Sequence, residues 1–360
     1  MGADISKDLQ QAVLAAIANK SPLNIIGGGS KSFCGRAASG TALSMAEHRG
    51  VVNYEPSELV ITARAGTPLT EIKTLLAQHG QMLAFEPPHF GAGGTLGGSI
   101  ACGLSGPRRP YAGSARDFML GVQIINGKGE ILRFGGQVMK NVAGFDVSRL
   151  MTGSFGTLGI LLEASLKVLP LPEMEETLLF EYDEEEAIRR MNAWAGQSLP
   201  LSGAFFESGQ LHLRLSGSVA ALRAARSRLG GENFSASADL WQRLRDQQHH
   251  FFQDETPLWR LSVAAASPPL NLPGECLLDW GGAQRWLKSD APATTIRAAL
   301  DKVGGHATLF RGGDRHSEIF HPLSPAMLTI QQRVKTAFDP HGIFNPGRMY
   351  SVLCPLSSVL

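Results

Sequence analysis

The chain has 360 residues, 43% apolar and 18% charged, with 33 basic and 32 acidic side chains for a net charge of +1. Such a composition fills one or two sizeable cores and excludes a disordered chain. It gives no global field to hold a polyanion, so neither a dedicated nucleic-acid binder nor a charge-driven membrane-surface protein is expected. The four cysteines, at 34, 102, 276 and 354, form no C-x-x-C pair. That argues against iron–sulfur and Cys-rich zinc sites in this chain and for a reducing, cytoplasmic setting. No stretch reads as a signal peptide or a membrane span, and Met1-Gly2 with Ser6 meets a myristoylation pattern only formally.

In chain order, Leu9, Val13, Leu14 and Ile17 make a helical stripe over residues 8–19. Residues 23–26 read as a short buried strand that opens into Gly27-Gly28-Gly29-Ser30-Lys31-Ser32. A strand over 58–63 follows, then a helix capped by Thr67 with Pro68 at its first position and Gly80 at its end. Residues 121–125 and 130–134 form a hairpin through Asn126-Gly127-Lys128-Gly129. Leu169-Pro170-Leu171-Pro172 marks a boundary. Beyond it, residues 173–186 carry eight acids, read as a solvated linker and helix start with Asp183 and Glu186 as a capping box. Strand 177–182, helix 185–194, hairpin 204–207 with 210–215, and helix 219–229 come next; 259–263, 275–280, 294–303 and 306–310 continue the style. The expected fold class is α+β, with a first domain over 1–172, a ferredoxin-like α+β cap over 173–330, and a helix and tail over 331–360 that return to the first domain.

Glycine is the informative residue. Of 41 glycines, 17 fall within residues 91–159, and the richest runs form three clusters: 27–29, 91–103 and 153–159. Backbone without Cβ atoms turns tightly or lies directly against a ligand. Three dispersed loops suit an extended ligand with a pyrophosphate in its middle, whose charge successive amides can cradle; a turn-rich β domain is the plainer alternative. Neither G-x-G-x-x-G nor G-x-x-x-x-G-K-[ST] occurs, which removes the main support for a Rossmann dehydrogenase or a P-loop NTPase.

Taken together, the three loops, Lys140-Asn141-Val142-Ala143-Gly144-Phe145-Asp146, and the terminal Asp339-Pro340-x-Gly342-x-Phe344-Asn345-Pro346-Gly347 resemble the vanillyl-alcohol oxidase/p-cresol methylhydroxylase (PCMH-type) FAD-binding superfamily. Ala101-Cys102-Gly103-Leu104-Ser105-Gly106-Pro107-Arg108-Arg109-Pro110 and Asp279-Trp280-Gly281-Gly282 narrow the resemblance to the family of smaller FAD-binding subunits of bacterial glycolate oxidases, or glycolate dehydrogenases. The resemblance implies a two-subdomain FAD-binding domain followed by a cap. It also implies cofactor contacts at Gly27, Gly28, Gly29, Ser30 and Lys31 in the first loop, and at Pro88, Gly94, Thr95, Gly97, Gly98 and Gly103 around the second. Asp117 would add a further contact, Gly153, Gly159 and Ile160 would hold the adenosine end, and Asn345 would sit near the flavin ring.

Because the first loop lacks a histidine, the FAD is expected to be non-covalent. The histidines, including His249-His250, His316 and His321, form no metal motif, so no metal is expected. Arg108, Arg109 and Arg348 are the weak candidates for gripping a substrate carboxylate, with salt bridging or phosphate contact as their plainer role; no proton acceptor stands out. The implied partners are a larger FAD subunit, an iron–sulfur subunit, and glycolate or another small 2-hydroxy acid. The larger subunit would hold the main catalysis, and the complex would be cytoplasmic or peripheral at the inner membrane. The alternatives are a structural subunit without functional FAD and a stand-alone flavin reductase using a nicotinamide cofactor.

Overall fold

The computed structural model describes residues 2–136 and 146–353. The part of the motif at 140–145 and Cys354 lie outside them. The front of the chain runs α1 (Ser6–Ala18), β1 (Leu23–Ile26), β2 (Thr41–Ser44), β3 (Val51–Glu55), β4 (Val60–Arg64), α2 (Leu69–Gln78) and β5 (Gln81–Met82). It continues with α3 (Leu96–Cys102), α4 (Arg109–Ala112), β6 (Met119–Ile125), β7 (Ile131–Gly135), α5 (Val147–Met151), β8 (Ile160–Lys167) and β9 (Leu169–Pro170). The α1 stripe buries Leu9 and Val13 as its period requires. β1 and β2 pair in parallel, Leu23 opposite Thr41 through Ile26 opposite Ser44. Beside them stands a five-stranded antiparallel sheet, β3-β4-β8-β6-β7. The apolar side chains of β4, α2, α3, β6 and β8 share one core around Ile61, Ile72, Ile100, Ile124 and Leu162.

The second layer contains β10 (Met174–Glu181), α6 (Glu184–Ala195), β11 (Leu201–Glu207), β12 (Gln210–Gly217), α7 (Val219–Leu229), β13 (Glu232–Asn233) and α8 (Ser237–Arg245). Then come β14 (Leu258–Ser262), β15 (Glu275–Asp279), β16 (Gln284–Lys288), α9 (Ala293–Lys302) and β17 (His306–Arg311). They build one eight-stranded sheet ordered β13-β10-β12-β11-β15-β16-β14-β17. Its first four strands have the split β-α-β-β-α-β arrangement of a ferredoxin-like unit, β12 lying antiparallel between β10 and β11. Finally α10 (Pro325–Phe338) leads a tail that returns to β1: Leu23 N–H donates to Ile343 O (2.7 Å) and Asn345 N–H to Leu23 O (3.0 Å).

Three local expectations are corrected. Thr67 does not cap α2; its hydroxyl accepts from Gly50 N–H (2.9 Å), and α2 starts after Pro68 with no side-chain cap. The acidic stretch is no linker, since Met174–Glu181 pairs along its whole length with β12. Within that strand Glu176 and Thr177 are buried while Glu175 and Glu181 are exposed, so the acid count masked a half-buried strand. Asp183 does cap α6, accepting from Glu186 N–H at 2.8 Å. The second glycine cluster, read as loop, contains α3, because Thr95 caps it and Leu96 and Ile100 anchor it in the core.

Candidate functional site

β1 ends in the core, and the chain then leaves the sheet as three consecutive glycines. A Cβ at Gly28 would sit 1.5 Å from Gly93 O, and one at Gly27 2.5 Å from the Thr95 hydroxyl. The first and second loops therefore cross backbone against backbone, and only glycine permits it. Gly29 adopts φ +72° in open space, which turns the chain so that Ser30 and Lys31 follow along the crevice. Among the described residues, the amides of Gly27, Gly28, Gly29, Ser30 and Lys31 donate to no protein acceptor. Five successive free N–H groups at one turn form a ready anion cradle.

The third loop docks onto the C-terminal end of α3, with Gly153 N–H donating to Ile100 O (2.9 Å) and Phe155 N–H to Ala101 O (2.8 Å). The tail joins the first and third loops. Asn345 Oδ1 accepts from Ile25 N–H (2.8 Å), and its Nδ2 donates to Phe155 O (2.7 Å). Asn345 is held at φ +40° by the turn beneath it. There Asp339 accepts from Ile343 and Phe344 N–H, and the buried Lys335 ammonium bridges Asp339 (2.6 Å), Phe344 O (3.0 Å) and Thr157 O (2.7 Å). Arg348 donates to Arg36 O and Ser32 O, and Arg315 to Gly35 O, clamping the far side of the first loop.

Between these walls lies a cavity of about 440 Å³. Its lining includes Gly27, Gly28, Gly29, Ser30, Lys31, Thr95, Gly97, Gly98, Gly159, Asn345 and Arg348, so loops dispersed over the sequence meet in one space. The lining also holds the cations Arg36 and Arg315 but no carboxylate. Arg36 pairs with Glu318 (3.0 Å), whereas Lys31 is buried and its pKa is pulled down by that burial. A dry ammonium beside five free amides gains most from a bound anion.

Other predicted residues lie away from the cavity lining. Gly94 and Pro88 are not part of the cavity wall; Gly94 O accepts from Leu69 N–H (2.9 Å). Gly103 ends α3 in a left-handed turn, facing Gly153. Ile160 is core. Asp117 closes a capping box with Ser114, accepting from its N–H at 2.8 Å and its hydroxyl at 2.7 Å. Even within the lining, Gly97 N–H already donates to Ala65 O (2.7 Å) and Gly98 N–H to the Thr95 hydroxyl (3.2 Å).

Among the arginines expected at the site, Arg348 alone lines the cavity. Arg108 is buried between Glu86 and Glu175, and Arg214 joins Glu86 from the cap sheet (2.9 Å), so this cluster ties the two layers together. Burial works against the Glu86 charge, but Arg214 and Arg108 hold its pKa below the usual range. His249 and His250 do meet a carboxylate: Glu207 lies 3.8 Å and 3.2 Å from their ring nitrogens, away from this cavity. Sequence reasoning missed Arg36 and Arg315, because nothing local marks an arginine whose partner is a carbonyl about 280 residues away.

Residues 3–135 match the FAD binding domain family. The whole chain is 50% identical over 350 residues to glycolate oxidase subunit GlcE of Escherichia coli (strain K12), covering 97% of this chain and 99% of that protein. The chain belongs to the GlcE family of glycolate oxidase subunits. It is also 31% identical over 163 residues to glycolate oxidase subunit GlcD of Bacillus subtilis (strain 168), 44% of this chain and 34% of that one. Among solved structures, p-cresol methylhydroxylase with substrate bound superposes with a TM-score of 0.70 at 14% identity, covering 98% of this chain and 89% of the other. That likeness carries the fold alone, and it is the PCMH-type fold expected for this GlcE family member.

Proposed function

We propose that this chain is an FAD-dependent oxidoreductase subunit of a multi-subunit complex that oxidises glycolate, a 2-hydroxy acid, to the 2-oxo acid. The observation that carries this reading is the row of five free amides on a cavity lined by Lys31 and three arginines and, among the described residues, by no carboxylate, in a chain half-identical to a glycolate oxidase subunit. The residues fit the cofactor: the amides of residues 27–31 and the Lys31 ammonium would meet a diphosphate, and the third loop and Asn345, joined by the Asn345–Phe155 hydrogen bond, would together border one part of it. When bound, FAD supplies two-electron redox chemistry that side chains lack. Arg348 and Arg315 keep the first loop in place, and the Lys335–Asp339 pair sets Asn345.

The FAD is held without a covalent bond, a reading supported by a lining in which, among the described residues, no histidine occurs. The partners are a larger flavin subunit, where the main oxidation of the acid takes place, and an iron–sulfur subunit that takes the electrons. Among the described residues no helix is long and apolar enough to cross a membrane, so any membrane contact would run through partners.

The test is purification of the chain and of its native complex. Stoichiometric FAD that leaves with the supernatant after acid precipitation supports the assignment; a colourless preparation refutes it. Rapid bleaching of the isolated chain's flavin by glycolate would move the main catalytic step here.

A further inference from the structure

Glu207, His249 and His250 form a second constellation, and none of them lines the flavin cavity. Glu207 is the last residue of β11, and the turn through Ser208 and Gly209, at φ +50° and +83°, sets it opposite Gln210 of β12. Two residues on from Phe205, it falls on the same face of the sheet. Against that face the His249 ring packs edge-on to Phe205, with 5.9 Å between centroids. His249 and His250 open the short helical turn between α8 and β14, and the next two residues, Phe251 and Phe252, are buried in the core. The turn is anchored from inside, so two adjacent imidazoles, 4.1 Å apart between centroids, converge on one carboxylate.

The donor atoms have the spacing of an ion's ligand shell. Glu207 Oε2 lies 3.8 Å from His249 Nδ1 and Oε1 lies 3.2 Å from His250 Nε2; one ligand atom from each residue falls within 4.8 Å of the others. A tetrahedral ion with bonds of about 2.0–2.1 Å sets its ligands about 3.3 Å apart, so small side-chain rotations close the shell. Other buried acids here have guanidinium partners: Glu86 has Arg108 and Arg214, and Asp246 has Arg245. Among the described residues, no lysine or arginine lies within ion-pair distance of Glu207, whose side chain is 12% exposed. A plain ion pair would need the exposed His250 alone. It leaves unexplained why the buried His249 aims Nδ1 at the other oxygen, with a long 3.5 Å contact from Phe251 N–H on the same atom. Glu207 also borders a pocket of about 460 Å³ whose wall carries Glu184 and Glu275. The cation in that wall, Arg285, donates to the carbonyls of Ser267, Pro268 and Gly282. An incoming cation therefore meets an acidic mouth.

We propose that Glu207, His249 and His250 bind a divalent transition-metal ion of the zinc class in the cap, apart from the flavin cavity. Two imidazole nitrogens and one carboxylate oxygen suit zinc, copper or nickel and disfavour magnesium and calcium, which take oxygen shells. Three protein ligands leave a fourth position open to water or a small ligand. The bound ion fastens the β11–β12 hairpin to the turn after α8. Adjacent histidines carry no ligand spacing of their own, and the carboxylate that completes them comes from a distant strand. The site stands on these residues and does not rest on the proposed function.

For the test, metal is stripped from the full-length, FAD-loaded chain with a chelator. Zn²⁺ is then titrated by calorimetry and Co²⁺ by its visible ligand-field absorption, read against the zinc-loaded chain so that the flavin background cancels. A single equivalent of either ion is expected, each competing with the other, with no saturable binding of Mg²⁺ or Ca²⁺, and Zn²⁺ should raise the melting temperature. H250A, at a largely exposed ring, and E207Q should weaken binding about tenfold or more with FAD content unchanged. H316A, at an exposed histidine elsewhere, should bind as the wild type does. If E207Q fails to fold, H250A carries the comparison. No saturable Zn²⁺ binding, unchanged affinity in H250A, or an equal loss in H316A overturns the proposal. A chain that purifies without FAD yet binds Zn²⁺ through these residues refutes the cofactor reading and leaves this one standing.

Discussion

Replacing Gly28 with alanine puts a methyl carbon 1.5 Å from Gly93 O and 2.5 Å from its carbonyl carbon. Both obstacles are backbone, so no rotamer change relieves the clash; the two loops must part by about 2 Å to restore ordinary contact. Overpacking of that kind costs about 3 kcal/mol, at the upper end of its range because neither side can give. If the loops must close again to hold FAD, the dissociation constant rises on the order of a hundredfold. Gly29→Ala is the control. Its Cβ meets nothing, so the cost is the left-handed backbone alone, about 1 kcal/mol. Recovery of FAD fluorescence on dilution gives both affinities, and apoprotein melting curves separate stability from binding. Wild-type affinity and melting in G28A would show that the loops do not cross as described, and the account of the cradle would fail.

Asn345→Ala strands Ile25 N–H and Phe155 C=O, at about 1–3 kcal/mol for each unpaired group, and should lower both FAD affinity and the melting temperature. Equal affinity in N345A by the same fluorescence assay would remove Asn345 from the site. Arg108→Gln should cost about 3 kcal/mol in denaturant midpoint by breaking the buried cluster, with FAD content unchanged; lost flavin in a folded R108Q would contradict that division. His212 is buried against Phe205, and burial lowers its pKa to about 4 from the usual 6.5. The folded chain keeps it neutral while the unfolded chain takes up a proton, so its stability contribution is whole above pH 6.5 and falls toward pH 4. The loss, about 3 kcal/mol, should disappear in H212F when unfolding is followed across that window.

Elements whose signal is local could be read from the chain. The hairpin over residues 121–134 pairs as its turn residues require, and α7 runs over Val219–Leu229 as its spacing indicated. Features that depend on distant partners could not. Thr67 looks like a cap until Gly50 is known to lie beside it, and the acids of β10 look like a linker until β12 is known to pair along them. The glycines were legible as a group but not in their reasons. Gly27, Gly28 and Gly97 are small because another part of the protein passes within a bond length or two, whereas Gly29 is small because of its φ. Of the amides expected to cradle an anion, those along 27–31 have no protein acceptor among the described residues, while those of Gly97 and Gly98 serve the protein itself. Arg108 and Arg109 are adjacent in sequence yet have different surroundings, one between two carboxylates and one over the ring of Trp280. No periodicity separates them.

The return of the tail to β1 sets a schedule for biosynthesis. Residues 343–345 supply the hydrogen bonds that flank Leu23 and Ile25, and Ile343 and Phe344 fill the first core, so a nascent chain can finish neither that core nor its pocket until the tail has been made. Ribosome-bound or prematurely stopped chains would have the glycine crossing but not the asparagine that joins it to the third loop. Loading of the coenzyme thereby becomes a check that translation has passed residue 345.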